Sequence, residues 1–269
     1  MRSGFCSGLE HDRAERRVIE RAMQVVAVPC LKDNYAYLVI EGDRAAVVDP
    51  SEAAPVEAAL ALHGVKLGAI WATHHHWDHT GGIADLVNMH PDIEVVIGEA
   101  DADKVKHITR TVNDGDDISF GPLRIKVIHN PGHTLGAVTF VVEGCAFTGD
   151  TLFCGGCGRV FEGDAEMMHA SLMKLAALPA DTKIYCGHEY TGANLKFAAA
   201  VEPGNEAITS RASKLGMPSV PSTMAIEHAT NPFLRASEPT VITAMATRGA
   251  AGDPVNVFAA LREWKNNFK

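Results

Sequence analysis

From Met23 onward the apolar positions fall in short dense runs rather than at the three- and four-residue spacing of an amphipathic helix. MQVVAVP (residues 23–29), YAYLVIE (35–41) and RAAVVDP (44–50) are each about the length of a strand, rich in Val, Ile or Tyr and closed by turn residues. The next stretch, APVEAALALHG (54–64), has helical composition and a glycine stop at Gly64, and KLGAIWATH (66–74) returns to a buried strand. Helix and strand therefore alternate. IEVVIG, LRIKVIH, AVTFVVEG, CAFTGD and TKIYCGH are further predicted strands, and Asp164 to Leu178 is a predicted helix, capped by Asp164 and stopped before Pro179. Beyond Tyr190 the strand signal disappears, leaving Ala-rich helical pieces punctuated by Pro203, Pro218, Pro221, Pro232, Pro239 and Pro254. The pattern predicts a two-sheet α/β domain over residues 23–190 and a helical domain over 191–269, after a polar extension of residues 1–22.

Composition narrows the class. With 269 residues, 46% apolar and 21% charged, the chain fits one large domain or a medium domain with a smaller partner, and not a disordered chain, a coiled coil or a disulfide-stapled mini-protein. Six cysteines have no secreted-domain density, and no apolar segment approaches the roughly 20 residues a membrane span needs. Residues 1–22 lack a signal-peptide core, and their four acids argue against a transit peptide, so the expectation is a cytosolic protein with no membrane partner. The net charge of −9 is concentrated in residues 23–189, where 11 basic residues face 23 acidic ones. Such a surface repels phosphate backbones, which sets nucleic acid aside as a partner.

The candidate chemistry sits at strand ends. Thr73-His74-His75-His76-Trp77-Asp78-His79-Thr80-Gly81-Gly82 joins a buried strand to a helix expected from near Thr80, a position where α/β proteins place function. In extended backbone the side chains at i and i+2 point the same way, so His74 and His76 converge while His75 points elsewhere. Three other turns carry matching residues after strands: Asn130-Pro131-Gly132-His133, Thr148-Gly149-Asp150 and Cys186-Gly187-His188. The seven candidates His74, His76, Asp78, His79, His133, Asp150 and His188 suit two metal ions sharing a bridging carboxylate and a bridging hydroxide, and spacing alone leaves their partition open. The other histidines read as surface or packed residues. Cys154 and Cys157 lack the thioredoxin-like context of a redox pair and the second pair of a structural zinc site, and read as ordinary thiols.

This set resembles the metallo-β-lactamase superfamily, whose T-H-x-H-x-D-H loop is matched by Thr73 to His79 and whose later ligands match His133, Asp150 and His188. Within it the chain resembles the glyoxalase II or hydroxyacylglutathione hydrolase family. The runs that carry this are Gly156-Cys-Gly-Arg159, Cys186-Gly-His-Glu-Tyr190-Thr, Asn194-Leu-Lys-Phe197, Val201-Glu-Pro-Gly-Asn205, Val220-Pro-Ser-Thr223, Asn231-Pro-Phe-Leu-Arg235 and Leu261-Arg-Glu-Trp-Lys265. The resemblance implies an α/β fold, a metallo-β-lactamase-like αββα sandwich with a C-terminal helical domain. It also implies a dinuclear centre, with two divalent ions, zinc first and iron or manganese also compatible with the donors. The implied activity is hydrolysis of S-2-hydroxyacylglutathione, typically S-D-lactoylglutathione, to glutathione and D-lactate, the second step of methylglyoxal detoxification.

By the same resemblance Asp150 bridges the ions, Asp78 is a ligand that also orients the hydroxide, and the five histidines complete the set. Glutathione is held by the loop at Arg159 and Phe161, by Tyr190, and by Arg262 and Lys265, whose spacing puts both on one helix face. Many members of the family carry Lys and Tyr where this chain has Arg159 and Phe161, so a hydroxyl is missing at the second position. The protein is expected to act as a monomer on a small-molecule thioester. The alternatives are a glutathione persulfide dioxygenase with one iron on the same fold, a β-lactamase, which would leave the second domain without a role, and a non-catalytic metal-binding protein.

Overall fold

The computed structural model describes residues 23–250 and 252–268, so the expected extension over residues 1–22 lies outside the described residues. Six strands form the first sheet in chain order: β1 (Gln24–Cys30), β2 (Asn34–Glu41), β3 (Arg44–Val48), β4 (Lys66–Ala72), β5 (Glu94–Gly98) and β6 (Arg110–Val112). β1 to β3 are antiparallel hairpin neighbours, whereas β3 to β6 run parallel, with the connections carrying α1 (Ala53–His63), α2 (Trp77–Thr80) and α3 (Ile83–Met89). The second sheet contains β7 (Asp117–Phe120), β8 (Leu123–His129), β9 (Val138–Val142) and β10 (Cys145–Gly149). A short hairpin, β11 (Leu152–Phe153) and β12 (Gly156–Cys157), precedes α4 (Ala165–Ala176). The second sheet then resumes with β13 (Lys183–Cys186), parallel to β10, and with β14 (Ser222–Thr223), antiparallel to β13.

The period-two alternation of β2 explains the layering. Tyr37 and Val39 join Trp71, Phe140 and Phe147 in the core between the sheets, while Leu38 and Ile40 join Val56 and Leu60 of α1 and Leu86 of α3 on the outer face. Both faces are buried, which is why the strand reads as a continuous apolar run. On the outer face of the second sheet, Ala146 and Ile184 pack with Met168, Leu172 and Leu175 of α4. The order helix, sheet, sheet, helix is the αββα sandwich that the family resemblance implies.

The remaining helices are α5 (Thr191–Val201), α6 (Glu206–Ser213), α7 (Met224–Thr230), α8 (Pro239–Ala246) and α9 (Pro254–Asn267). Phe197, Phe233, Phe258 and Leu261 from this region share one buried cluster with α4. The region is not wholly helical: Ser222 and Thr223 form β14 and extend the second sheet, an element too short for a hydrophobic run to announce. The helix expected from near Thr80 also differs in detail. One turn forms earlier, at Trp77–Thr80, and a new helix starts at Ile83 after Gly81 and Gly82. Asp164 does cap α4, accepting the Met167 N–H at 2.8 Å.

Strand direction gathers the polar turns. β1, β3, β4 and β5 share one direction in the first sheet, and β8, β10 and β13 share one in the second. The carboxyl ends of these strands are followed by Asp33, Asp49, Thr73 to His79, Asp101, His133, Asp150 and His188. A cleft at strand carboxyl ends is where open α/β sheets bind ligands.

Candidate metal centre

The seven candidates converge, and their atoms divide into two groups of three. His74 Nε2 lies 3.1 Å and His133 Nε2 lies 3.0 Å from His76 Nδ1. In the second group His79 Nε2 is 3.4 Å from His188 Nε2, and Asp78 Oδ2 is 3.7 Å from the former and 3.4 Å from the latter. Asp150 stands between them. Its Oδ2 is 3.5 Å from His133 Nε2 and 3.3 Å from His188 Nε2, and its Oδ1 is 3.3 Å from His79 Nε2. The partition that spacing left open is thus His74, His76 and His133 against Asp78, His79 and His188, with one carboxylate facing both.

Most of the imidazoles have a support for the second ring nitrogen. His79 Nδ1 is 2.9 Å from Asp49 Oδ2, and His188 Nδ1 is 2.9 Å from Asp33 Oδ1. His133 Nδ1 donates to the Arg159 carbonyl at 2.8 Å. His74 Nδ1 sits 3.0 Å from the Thr73 hydroxyl, which itself donates to Asp49 Oδ2 at 2.7 Å. Such partners fix the ring orientation and leave the other nitrogen facing the cluster. Asp78 is held by the Asn34 amide, which donates to its Oδ2 at 3.1 Å and its carbonyl at 3.0 Å. Sequence reading missed Asp33, Asn34, Asp49 and Thr73 as supports. Asp49 carries the one available signal, an acid directly after a strand, which is the rule that found Asp150.

The field differs between the groups. Burial lowers His74 well below its ordinary value, takes His76 to about 4 and lowers His133. Burial acts downward on the other pair too, but the carboxylates of Asp150 and Asp49 outweigh it and raise His79 to about 10. Asp150, Asp78 and Asp33 likewise raise His188 to about 12. Burial opposes the Asp78 anion, but His188, the His79 charge and the Asn34 amide hold its carboxyl below the usual range. Negative charge that overcomes burial in this way is the setting a divalent cation requires.

The donor set fits such ions on two further counts. Asp150 Oδ1 is shielded from solvent and makes no hydrogen bond, and a buried carboxylate oxygen in that state calls for a cation. At Gly187 an added Cβ would collide with Asp150 Oδ1 and His79 Cε1, so the absence of a side chain there keeps the cradle open. Among the described residues two other clusters have ligand-like spacing. Asp49, His74 and His79 form one, but the Asp49 oxygens already accept from Thr73 and His79; His75, Asp101 and Glu162 form the other, beside the Lys104 ammonium.

The comparisons with known proteins match the chain in two adjoining stretches. Residues 32–188 match the metallo-beta-lactamase superfamily, and residues 189–268 match the hydroxyacylglutathione hydrolase C-terminus. A hydroxyacylglutathione hydrolase of Alkalilimnicola ehrlichii is 50% identical over 90% of this chain and 98% of that protein. The chain belongs to the hydroxyacylglutathione hydrolase family. A second relative of that name, from Vibrio cholerae, is 47% identical over 91% of this chain and all (100%) of its own. Among solved structures, TTHA1623 in a di-iron-bound form is similar with a TM-score of 0.59 and 28% identity, over 78% of this chain and 99% of that one.

The positions that the family resemblance implies for glutathione line the same cavity as five of the seven ligand candidates. It measures about 550 Å³ and is lined by His76, Asp78, His133, Asp150 and His188 together with Arg159, Phe161, Tyr190, Arg262 and Lys265. Tyr190 stacks on His188, with ring centroids 4.7 Å apart, and burial raises its phenol. Phe161 is 59% exposed and packs against His133 at 5.1 Å. Arg262 is 8% exposed and largely committed: Nη1 donates to the Cys157 carbonyl at 2.8 Å and the Gly158 carbonyl at 3.3 Å, and Nε donates to Asn266 Oδ1 at 3.1 Å. Lys265 donates to the Ala193 carbonyl at 3.2 Å, and burial with the adjacent Arg262 charge lowers it to about 8. Cys154 is buried 3.8 Å from Cys186, while Cys157 lines the cavity beside Arg262.

Proposed function

We propose that this protein hydrolyses the thioester of S-2-hydroxyacylglutathione, with S-D-lactoylglutathione the expected substrate, to free glutathione and a 2-hydroxy acid. The observation that carries this reading is the shared cavity, lined both by five of the seven candidate donors and by two cationic side chains of α9. His74, His76 and His133 would hold one divalent ion and Asp78, His79 and His188 a second, with Asp150 common to both; zinc is the first expectation, and iron fits the same donors. When bound, the ions supply Lewis acidity that makes hydroxide available at neutral pH and polarises the thioester carbonyl.

The chain's own groups do the rest. Asp78, ionised at neutral pH, lines the cavity and orients the attacking water through its carboxylate. The Tyr190 phenol stays protonated and donates to the peptide part of the substrate. Lys265 and Arg159 meet the glutathione carboxylates, while Arg262 shapes the pocket by holding the carbonyls of Cys157 and Gly158. Phe161 offers an apolar contact where a hydroxyl is common in the family. Thiolate is an adequate leaving group with a pKa of about 8.5, so no strong general acid is needed. On this reading residues 23–190 supply the metal chemistry and residues 191–269 complete the substrate pocket. The whole site comes from one chain, as a monomer requires.

The test is an S-D-lactoylglutathione hydrolysis assay on full-length protein whose ions have been counted by elemental analysis. Turnover with two ions per chain is expected. Oxygen uptake with glutathione persulfide and no thioester hydrolysis would overturn the reading, as would a fully loaded protein with no turnover.

A further inference from the structure

One buried carboxylate ties the ligand-bearing loops together without touching a ligand atom. Asp101 lies in the 3₁₀ helix Glu99–Lys104 that follows β5 and is 0% exposed. Its Oδ2 accepts the backbone N–H of His75 at 3.1 Å and the Thr134 hydroxyl at 2.8 Å, and its Oδ1 accepts the Gly136 N–H at 3.1 Å. Those partners are the residue between His74 and His76 and the residues just after His133. His75 Nδ1 is also 3.0 Å from Oδ2, though off the hydrogen-bond direction. A Cβ at Gly136 would collide with the Asp101 backbone and carboxylate, so the second loop meets Asp101 this closely only because glycine is there.

The neighbouring charges identify the cluster as structural rather than as a further cation site. Lys104 Nζ is 3.7 Å from Asp101 Oδ1 and 2.8 Å from Glu162 Oε1, and Glu162 Oε2 in turn accepts the Leu135 N–H at 2.7 Å. The two carboxylates thus already share one ammonium.

We propose that Asp101 is a positioning residue for one half of the metal centre: it sets the separation of His74 and His76 from His133, and so the affinity for the ion those three would hold. The proposal rests on the dinuclear reading above. Its selectivity follows from where the bonds fall. The other half is positioned through Asn34, Asp33 and Asp49, none of them a hydrogen-bond partner of Asp101. Val138 N–H to the Thr73 carbonyl at 2.8 Å joins the same two segments at their strand ends, leaving the ligand-bearing tips to Asp101. Asp101→Asn keeps the volume but turns an NH₂ group toward N–H and O–H donors, which pushes the loops apart.

The experiment loads full-length protein with Zn²⁺, dialyses it against graded chelator and counts the ions retained per chain. Asp101→Asn is compared with the parent in three backgrounds: otherwise unaltered, His76→Ala and His188→Ala. The unaltered parent is expected to hold two ions, and Asp101→Asn to release one of them at roughly tenfold lower chelator concentration. In the His188→Ala background the remaining ion should be weakened to the same degree, and in the His76→Ala background it should be unaffected. Thr134→Val should act in the same direction with a smaller shift, and it decides the matter if Asp101→Asn does not fold. Unchanged retention, or equal weakening in both backgrounds with a lowered Tm, would overturn the proposal. Parent protein that takes up no ion would overturn the dinuclear reading itself, and the proposal with it.

Discussion

In the half of the centre formed by Asp78, His79 and His188, both imidazoles rest on carboxylates, Asp49 and Asp33. In the half formed by His74, His76 and His133, the supports are neutral oxygens, the Thr73 hydroxyl and the Arg159 carbonyl. The same residue type is raised in the first half, by Asp150 and Asp78 together with Asp49 and Asp33, and lowered in the second by burial. A carboxylate behind an imidazole makes the ring a stronger donor, so the two ions are expected to be inequivalent, with the carboxylate-backed half the tighter. Asp49 connects the halves, directly through His79 and indirectly through Thr73 to His74.

The most severe way to break this comparison is to remove what both halves share. Asp150→Ala should lower hydrolysis more than about 100-fold, beyond the loss expected from a supporting partner, and elemental analysis should show both ions weakened. Normal turnover with two ions retained would refute the bridging role. Asp49→Asn should weaken ion binding about 10- to 100-fold, most strongly in the His79 half, whereas Thr73→Val should act on the His74 half and by less. Competition with a chelator in single-site variants separates the two, and equal losses from Thr73→Val in both halves would end the asymmetry.

Smaller effects sharpen the contrast from the substrate end. Lys265→Gln should raise KM roughly tenfold with little change in kcat, the size of one charge-assisted hydrogen bond. Because Lys265 is lowered to about 8, its charged form prevails below that pH and is lost above it. The kcat/KM profile, which reports the free enzyme, should fall above about pH 8, and Lys265→Arg should flatten that limb. A profile unchanged by Lys265→Arg would remove the lysine from substrate binding. The smallest expected effect belongs to Phe161→Tyr, beside His133 and His76 in the neutral half. It restores a hydroxyl and should lower KM about threefold, measured at fixed ion content.

How much was legible depended on how local each feature is. The spacing of His74, His76, Asp78 and His79 is read within six residues, because extended backbone and one helical turn fix where those side chains point. His133, Asp150 and His188 were legible as polar residues beside glycine at strand ends. Asp33, Asp101 and Asn34 had no such mark, since their importance depends on which strand ends become neighbours. Strand β14 escaped because two residues carry no period. Arg262 and Lys265 were legible only as charges one helical turn apart, and the structure shows that they differ: the guanidinium is bonded to loop carbonyls and the ammonium is partly desolvated.

The chain alone determined the donor types, the alternation of strand and helix, and the concentration of chemistry after strands, because these follow from local backbone geometry and burial. Tertiary structure decided the rest: the partition of the seven candidate ligands into two groups, the carboxylates behind His79 and His188, and the tie that Asp101 makes between two loops. Those depend on parallel strands far apart in sequence ending at a common edge, and interactions that fall off within a few ångströms exist only once packing has brought those ends together.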